Sequence, residues 1–153
     1  MNKLTLFLLA VIVSLFSNSS TAASNKDFEI RFGILEHDKA GNIFITEETT
    51  NITLKLAATG YRFGCKITPP NQSPYTFQTI THLPAAPREV TGKFYDANQK
   101  PVKDLVSKVA TISSGPFFDS MHFDAGDPVG KYSRDIFING KLVKTIIFNV
   151  RAD

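Results

Sequence analysis

The sequence predicts an all-β domain, an antiparallel immunoglobulin-like β-sandwich of about seven to nine strands. Apolar residues alternate with polar ones at period two in run after run, and seldom at the period of about 3.6 that marks a helix. Glycine, proline, asparagine or aspartate bounds each run, so the strands are short and the turns frequent. Near the C-terminus, Asn139-Gly140 stands between two β-rich runs, a strong short-range hairpin signal.

In chain order, Phe28, Ile30 and Phe32 alternate with charged residues and set the first strand, and Ala40-Gly41-Asn42 marks a turn after it. Ile52, Leu54 and Leu56 alternate with Asn51, Thr53 and Lys55 up to Thr59-Gly60. Tyr61, Phe63, Cys65 and Ile67 share one face of a run stopped by Pro69-Pro70-Asn71. Further strands are expected from Thr76 to His82, ended by Pro84-Ala85-Ala86-Pro87, and from Val90 to Tyr95, ended by Asp96-Ala97-Asn98. Val102, Leu105, Val106 and Val109 have helical spacing, so this stretch alone predicts a short helix or helical turn. After Gly115-Pro116, Phe117 to Phe123 predicts a strand that runs into a turn over Asp124-Ala125-Gly126-Asp127.

Tyr132 to Ile138 and Leu142 to Val150 then form the terminal hairpin. Both central residues of its type I′ turn need positive φ, which Asn and Gly tolerate best. Gly130, two residues before Tyr132, suggests a tyrosine corner, whose hydroxyl bonds back to upstream backbone in sandwich domains. With one cysteine and no tryptophan, an antibody-type domain is excluded.

The first 23 residues read as a Sec-type signal peptide: Lys3, then an uncharged apolar run from Leu4 to Phe16, then small polar residues ending in Ala22-Ala23. The run falls short of the roughly 20 residues a membrane-spanning helix needs. Cleavage is expected after Ala23, with Ala22 as the alternative, leaving one sandwich domain over residues 24–153 in the periplasm or secreted. No second apolar run approaches spanning length, so no stable membrane insertion is expected after processing.

Loss of Lys3 lowers the formal net charge from +3 to +2. The basic residues are dispersed, without the clustering and interleaved aromatics of a nucleic-acid footprint, so no nucleic-acid partner is expected. A single cysteine makes no internal disulfide. Cys65, in phase with Phe63 and Ile67, is expected to be buried and inert. Asn51 and Asn71 begin N-glycosylation sequons, which matter only in a cell that glycosylates them.

Gly60-Tyr61-Arg62-Phe63-Gly64, Thr81-His82-Leu83-Pro84 and the downstream Gly92 resemble a bacterial family catalogued as domain of unknown function 3859. The resemblance covers most of the mature chain. That family tends to place Pro directly after His; here Leu83 stands between them. The resemblance implies a common β-rich fold and a bacterial source, singles out two loops and implies no activity.

Among residues that could carry chemistry, Asp119, His122, Asp124 and Asp127 put one imidazole and three carboxylates within a short stretch. Strand alternation turns Asp119 away from Ser120, His122 and Asp124, so only His122, Asp124 and Asp127 converge readily. A closed metal site normally wants more ligands, and no calcium-loop spacing is present. No metal or other cofactor is therefore expected. No Gly-x-Ser-x-Gly elbow or glycine-rich phosphate cradle occurs. Arg62, His82, His122, Asp124 and Asp127 are the candidate ligand-binding residues, with no catalytic residue assigned. The function expected is a non-enzymatic exported domain that binds an unknown protein or envelope ligand. The alternatives are a small metal-dependent hydrolase centred on His122, Asp124 and Asp127, or an inhibitor of a secreted enzyme such as a lysozyme.

Overall fold

The computed structural model describes residues 27–88 and 102–153. The signal peptide with Ala22 and Ala23, the expected strand from Val90 to Tyr95 with Gly92, and the turn at Asp96-Ala97-Asn98 lie outside the described residues. Ten strands are described, slightly more than expected: β1 (Glu29–His37), β2 (Ile43–Glu48), β3 (Asn51–Thr53), β4 (Arg62–Thr68), β5 (Tyr75–His82), β6 (Asp104–Val106), β7 (Ala110–Ile112), β8 (Phe117–Met121), β9 (Gly130–Ile138) and β10 (Lys141–Arg151). They build two sheets, one in the order β2-β1-β4-β8 and the other in the order β3-β10-β9-β5-β6, with β7 also pairing β5. All pairings are antiparallel except that of β3 with β10, which is parallel.

The period-two pattern translates directly into burial. On β5, Tyr75, Phe77, Thr79 and Thr81 point inward, and on β9 so do Tyr132, Arg134, Ile136 and Ile138. Phe32, Phe63, Phe123, Tyr132 and Phe148 form one aromatic cluster between the layers, with Phe63 stacked on Phe123 at 4.6 Å and Tyr132 on Phe148 at 5.2 Å. Cys65 is fully buried beside it, and burial pushes its thiol up to about 12. The terminal hairpin has the expected turn: Asn139 and Gly140 both take positive φ, at 51° and 72°. The Tyr132 hydroxyl donates to the Pro128 carbonyl at 2.6 Å, completing the tyrosine corner. Gly64 lies at φ 155°, where a β-carbon would meet the Asp119 carbonyl oxygen at 2.0 Å. Only glycine allows β8 to approach β4 this closely.

Two elements differ from expectation. The stretch from Val102 to Val109 is not helical: β6 and β7 pair with the two ends of β5, and between them Ser107 N–H donates to the Thr79 carbonyl. Its β-branched residues suit an edge strand, and pairing with β5 satisfies backbone groups that a single helical turn would leave open. β2 is an additional strand, largely exposed at a sheet edge, where Ile43-Phe44-Ile45 shows no alternation.

The sandwich has two lateral seams. On one, the chain crosses from β2 in the first sheet to β3 in the second, and Asn149 N–H donates to the Thr50 carbonyl at 2.7 Å. Lys144 Nζ also donates across the layers there, to the Ile30 carbonyl at 2.8 Å. The other seam lies between β8 of the first sheet and β6–β7 of the second, and there too the chain crosses, from β7 to β8. There the described residues leave a cleft.

Candidate functional site

The cleft has a volume of about 270 Å³. Its walls are largely apolar, with Leu83, Leu105, Met121 and Phe123 among them, and Thr79, Thr81 and Arg134 reach it from the inner faces of β5 and β9.

Arg134 is the unusual member. Strand alternation on β9 turns it inward with Tyr132 and Ile136, so its guanidinium is buried between the sheets. Alternation on β8 likewise turns Asp119 inward, in phase with Phe117 and Met121. The two meet across the interface, with Arg134 Nε and Nη2 donating to Asp119 Oδ2 at 2.9 and 2.5 Å. Arg134 Nη1 also donates to the Thr81 hydroxyl. Burial raises the cost of an unpaired charge, and this pairing offsets it. Thr79, one alternation further along β5, is 1% exposed, and its hydroxyl has no hydrogen-bond partner among the described residues.

The residues singled out by sequence fall into separate places. His122, Asp124 and Asp127 do come together, all three at the cleft. His122 Nε2 lies 3.7 Å from Asp124 Oδ1. Asp127 Oδ2 accepts the Asp124 N–H at 2.8 Å, closing the turn, and burial raises the pKa of its carboxyl. Among the described residues, no group of three or more His, Cys, Asp or Glu side chains is gathered in a way that could hold a metal ion. Arg62 is elsewhere: it donates to the carbonyls of Tyr61 at 3.1 Å and Ala57 at 3.5 Å, holding the turn before β4.

His82 is on the outer face of its sheet, away from the cleft. Its Nδ1 lies 2.8 Å from Asp104 Oδ1 and its Nε2 lies 3.2 Å from Asp135 Oδ2. These two carboxylates, Asp104 first, raise the imidazole pKa above its ordinary 6.5. Asp135 also accepts from the Thr145 hydroxyl at 2.5 Å, which together with His82 lowers its carboxyl pKa.

Sequence reasoning missed Arg134, Thr79 and Thr81. The signal was available: each is a polar residue at an inward-phase position of a strand that also turns large aromatic or apolar residues inward. The partner Asp119 could not be read the same way, because pairing it with Arg134 requires knowing that β8 and β9 lie in opposite sheets.

Among solved structures, an immunoglobulin-like protein (PA1606) from Pseudomonas aeruginosa is similar over 80% of this chain and 92% of its own, with a TM-score of 0.56 and 16% identity. That likeness shows the immunoglobulin-like fold. The Pseudomonas fluorescens alkylpurine DNA glycosylase AlkC, bound to DNA containing an abasic site analog, matches at a TM-score of 0.42 and 14% identity, over 82% of this chain and 31% of that one. No curated protein matches the chain. The family model described as PM0630 beta sandwich domain matches residues 30–151, so the chain that folds into these two sheets belongs to the PM0630 beta sandwich domain family.

Proposed function

We propose that the chain is an exported, non-enzymatic binding domain, periplasmic or secreted, which takes a protein or envelope ligand along the open seam between β8 and β6–β7. The observation that carries this reading is the make-up of that seam. Among the described residues it presents two strand edges, a cleft that reaches the inner faces of β5 and β9, and Val106 and Val109 exposed at 61% and 60%. Strand edges and exposed apolar side chains are the usual means by which such scaffolds recognise partners. The high pKa of the Cys65 thiol supports a non-catalytic role, because the thiolate is the nucleophile. Kinship with domain of unknown function 3859 belongs to the same proposal: of the resembling residues, Phe63, Thr81 and Leu83 line the cleft. The hydrolase and inhibitor readings have no comparable observation in their favour.

Two measurements on the full chain in a bacterial host test this. A photo-crosslinking residue at Val106 should give a discrete adduct, with a protein or an envelope polymer, that the same residue at Glu47, on the far edge strand β2, does not. Identical adducts from both positions, or none from either, would overturn recognition at this seam. The N-terminus of the accumulated protein should be Ser24 in the envelope or medium. An intact Met1 in the cytoplasm would overturn export.

A further inference from the structure

We propose that the inter-sheet cleft is a binding site for a compact, uncharged molecule with an apolar, ring-sized body and one hydrogen-bond-accepting oxygen. The size follows from the volume. A dry apolar cavity of roughly 150 Å³ holds benzene, and sites for drug-sized ligands begin near roughly 300 Å³. A cleft of about 270 Å³ therefore fits a substituted ring. Its walls, including Leu83, Leu105, Met121 and Phe123, supply apolar contact for such a body.

The polar requirement comes from Thr79. Among the described residues, its hydroxyl is the one buried side-chain polar atom without a partner, and Thr79 lines the cleft. An unpartnered hydroxyl at 1% exposure is costly, and a ligand oxygen accepting its proton would relieve that cost. Arg134 adds to the demand for an acceptor. A guanidinium carries five N–H donors. Among the described residues, Nε, one N–H of Nη2 and one of Nη1 are engaged by Asp119 and Thr81, leaving two to donate.

Charge then selects against a carboxylate or phosphate. Asp119 already neutralises Arg134, and among the described residues Asp124 and Asp127 line the same cleft beside a single imidazole, that of His122. An anion entering there meets net negative charge. A cation reaching Arg134 and Thr79 meets donors and a positive guanidinium. A neutral carbonyl, ether or hydroxyl oxygen suits the donors without either penalty.

Acetophenone, ethylbenzene and benzoate test each part of this, titrated against the full chain while the Met121 methyl resonance is followed by NMR. Acetophenone should give a saturable shift with an affinity about fivefold tighter than ethylbenzene, the value of one neutral hydrogen bond, and benzoate should bind more weakly than acetophenone. Thr79→Val keeps the side-chain shape and should bring acetophenone and ethylbenzene within twofold of each other. Leu105→Trp, on a half-buried wall position, should weaken both.

Equal affinities in the unmodified chain, as when a water alone satisfies Thr79, would overturn the proposal. So would a preference that survives Thr79→Val, or the absence of any saturable shift. The outcome is independent of the partner reading, since a crosslink at Val106 reports an external protein or envelope polymer and the Met121 methyl reports the cleft interior.

Discussion

On the inner face of β5 and β9, Arg134 is held by Asp119 and Thr81 between two sheets. One residue along each strand, on the outer face, His82 and Asp135 hold a second charged cluster with Asp104 in contact with solvent. The clusters share the same two strands and lie a pleat apart, yet the side chains of the inner pair are 8% and 15% exposed, against 39%, 61% and 22% on the outside. In the interior, either charge left alone has no water to turn to, so the pair is indispensable without being strongly stabilising. Outside, solvent screens each interaction, and the cluster can be gained or lost with pH at small cost.

Breaking the inner pair should therefore have the largest effect. Asp119→Ala leaves the Arg134 guanidinium buried without its counter-charge and should lower stability by about 3–5 kcal/mol in chemical denaturation. The double replacement Asp119→Leu with Arg134→Met should recover most of that loss, since apolar residues of similar volume often replace a buried pair at little cost. A double variant as unstable as Asp119→Ala would show that the pair contributes net stability and would erase the contrast.

Thr79→Val sharpens the inner side further. Removing an unpartnered hydroxyl while keeping its shape should raise stability by about 1 kcal/mol, read as a higher denaturation midpoint at unchanged slope. A loss of stability would mean that the hydroxyl is satisfied in solution.

The outer cluster should respond least, and to pH. Because the folded pKa of His82 lies above 6.5, its contribution is complete below that value and is lost as pH rises through the raised pKa. Asp135, with its carboxyl pKa lowered from 3.8, stays ionised through this window, and its own contribution is lost only as pH falls through the lowered value. The stability difference between the unmodified chain and His82→Gln should be below about 1 kcal/mol near pH 6 and should shrink toward zero by about pH 9. A difference that grows with pH would reverse the assigned role.

The strands of both sheets were legible where apolar residues alternate, as on β5 and β9, and the hairpin where Asn139-Gly140 dictates its own turn. β2 was not, because an exposed edge strand need not alternate, and β6–β7 was misread because its valines happen to fall at helical spacing. The site was half legible. Adjacency along the chain brings His122, Asp124 and Asp127 together at the cleft, whereas His82 and Arg62, chosen by residue type, belong to an outer-face cluster and a turn. Arg134 and Thr79 stand at inward-phase positions that sequence marks, but what they face depends on which strands oppose each other across the layers, and no local pattern encodes that.

Asn139 does more than reverse the chain. Its N–H donates to the Thr76 carbonyl at 3.0 Å, and its side-chain Oδ1 accepts the Thr76 N–H at 2.9 Å. The tip of a hairpin that forms from neighbouring residues thus grips one residue of a strand 63 positions away in the chain. A slip of one residue in how β5 docks would turn Thr79 and Thr81 to solvent and His82 and Ile80 into the core. The β9–β10 hairpin is therefore a template, and its turn is the latch that selects the frame in which β5 is read. The lining of the cleft is decided at the opposite end of β5, by a residue that never touches the cleft.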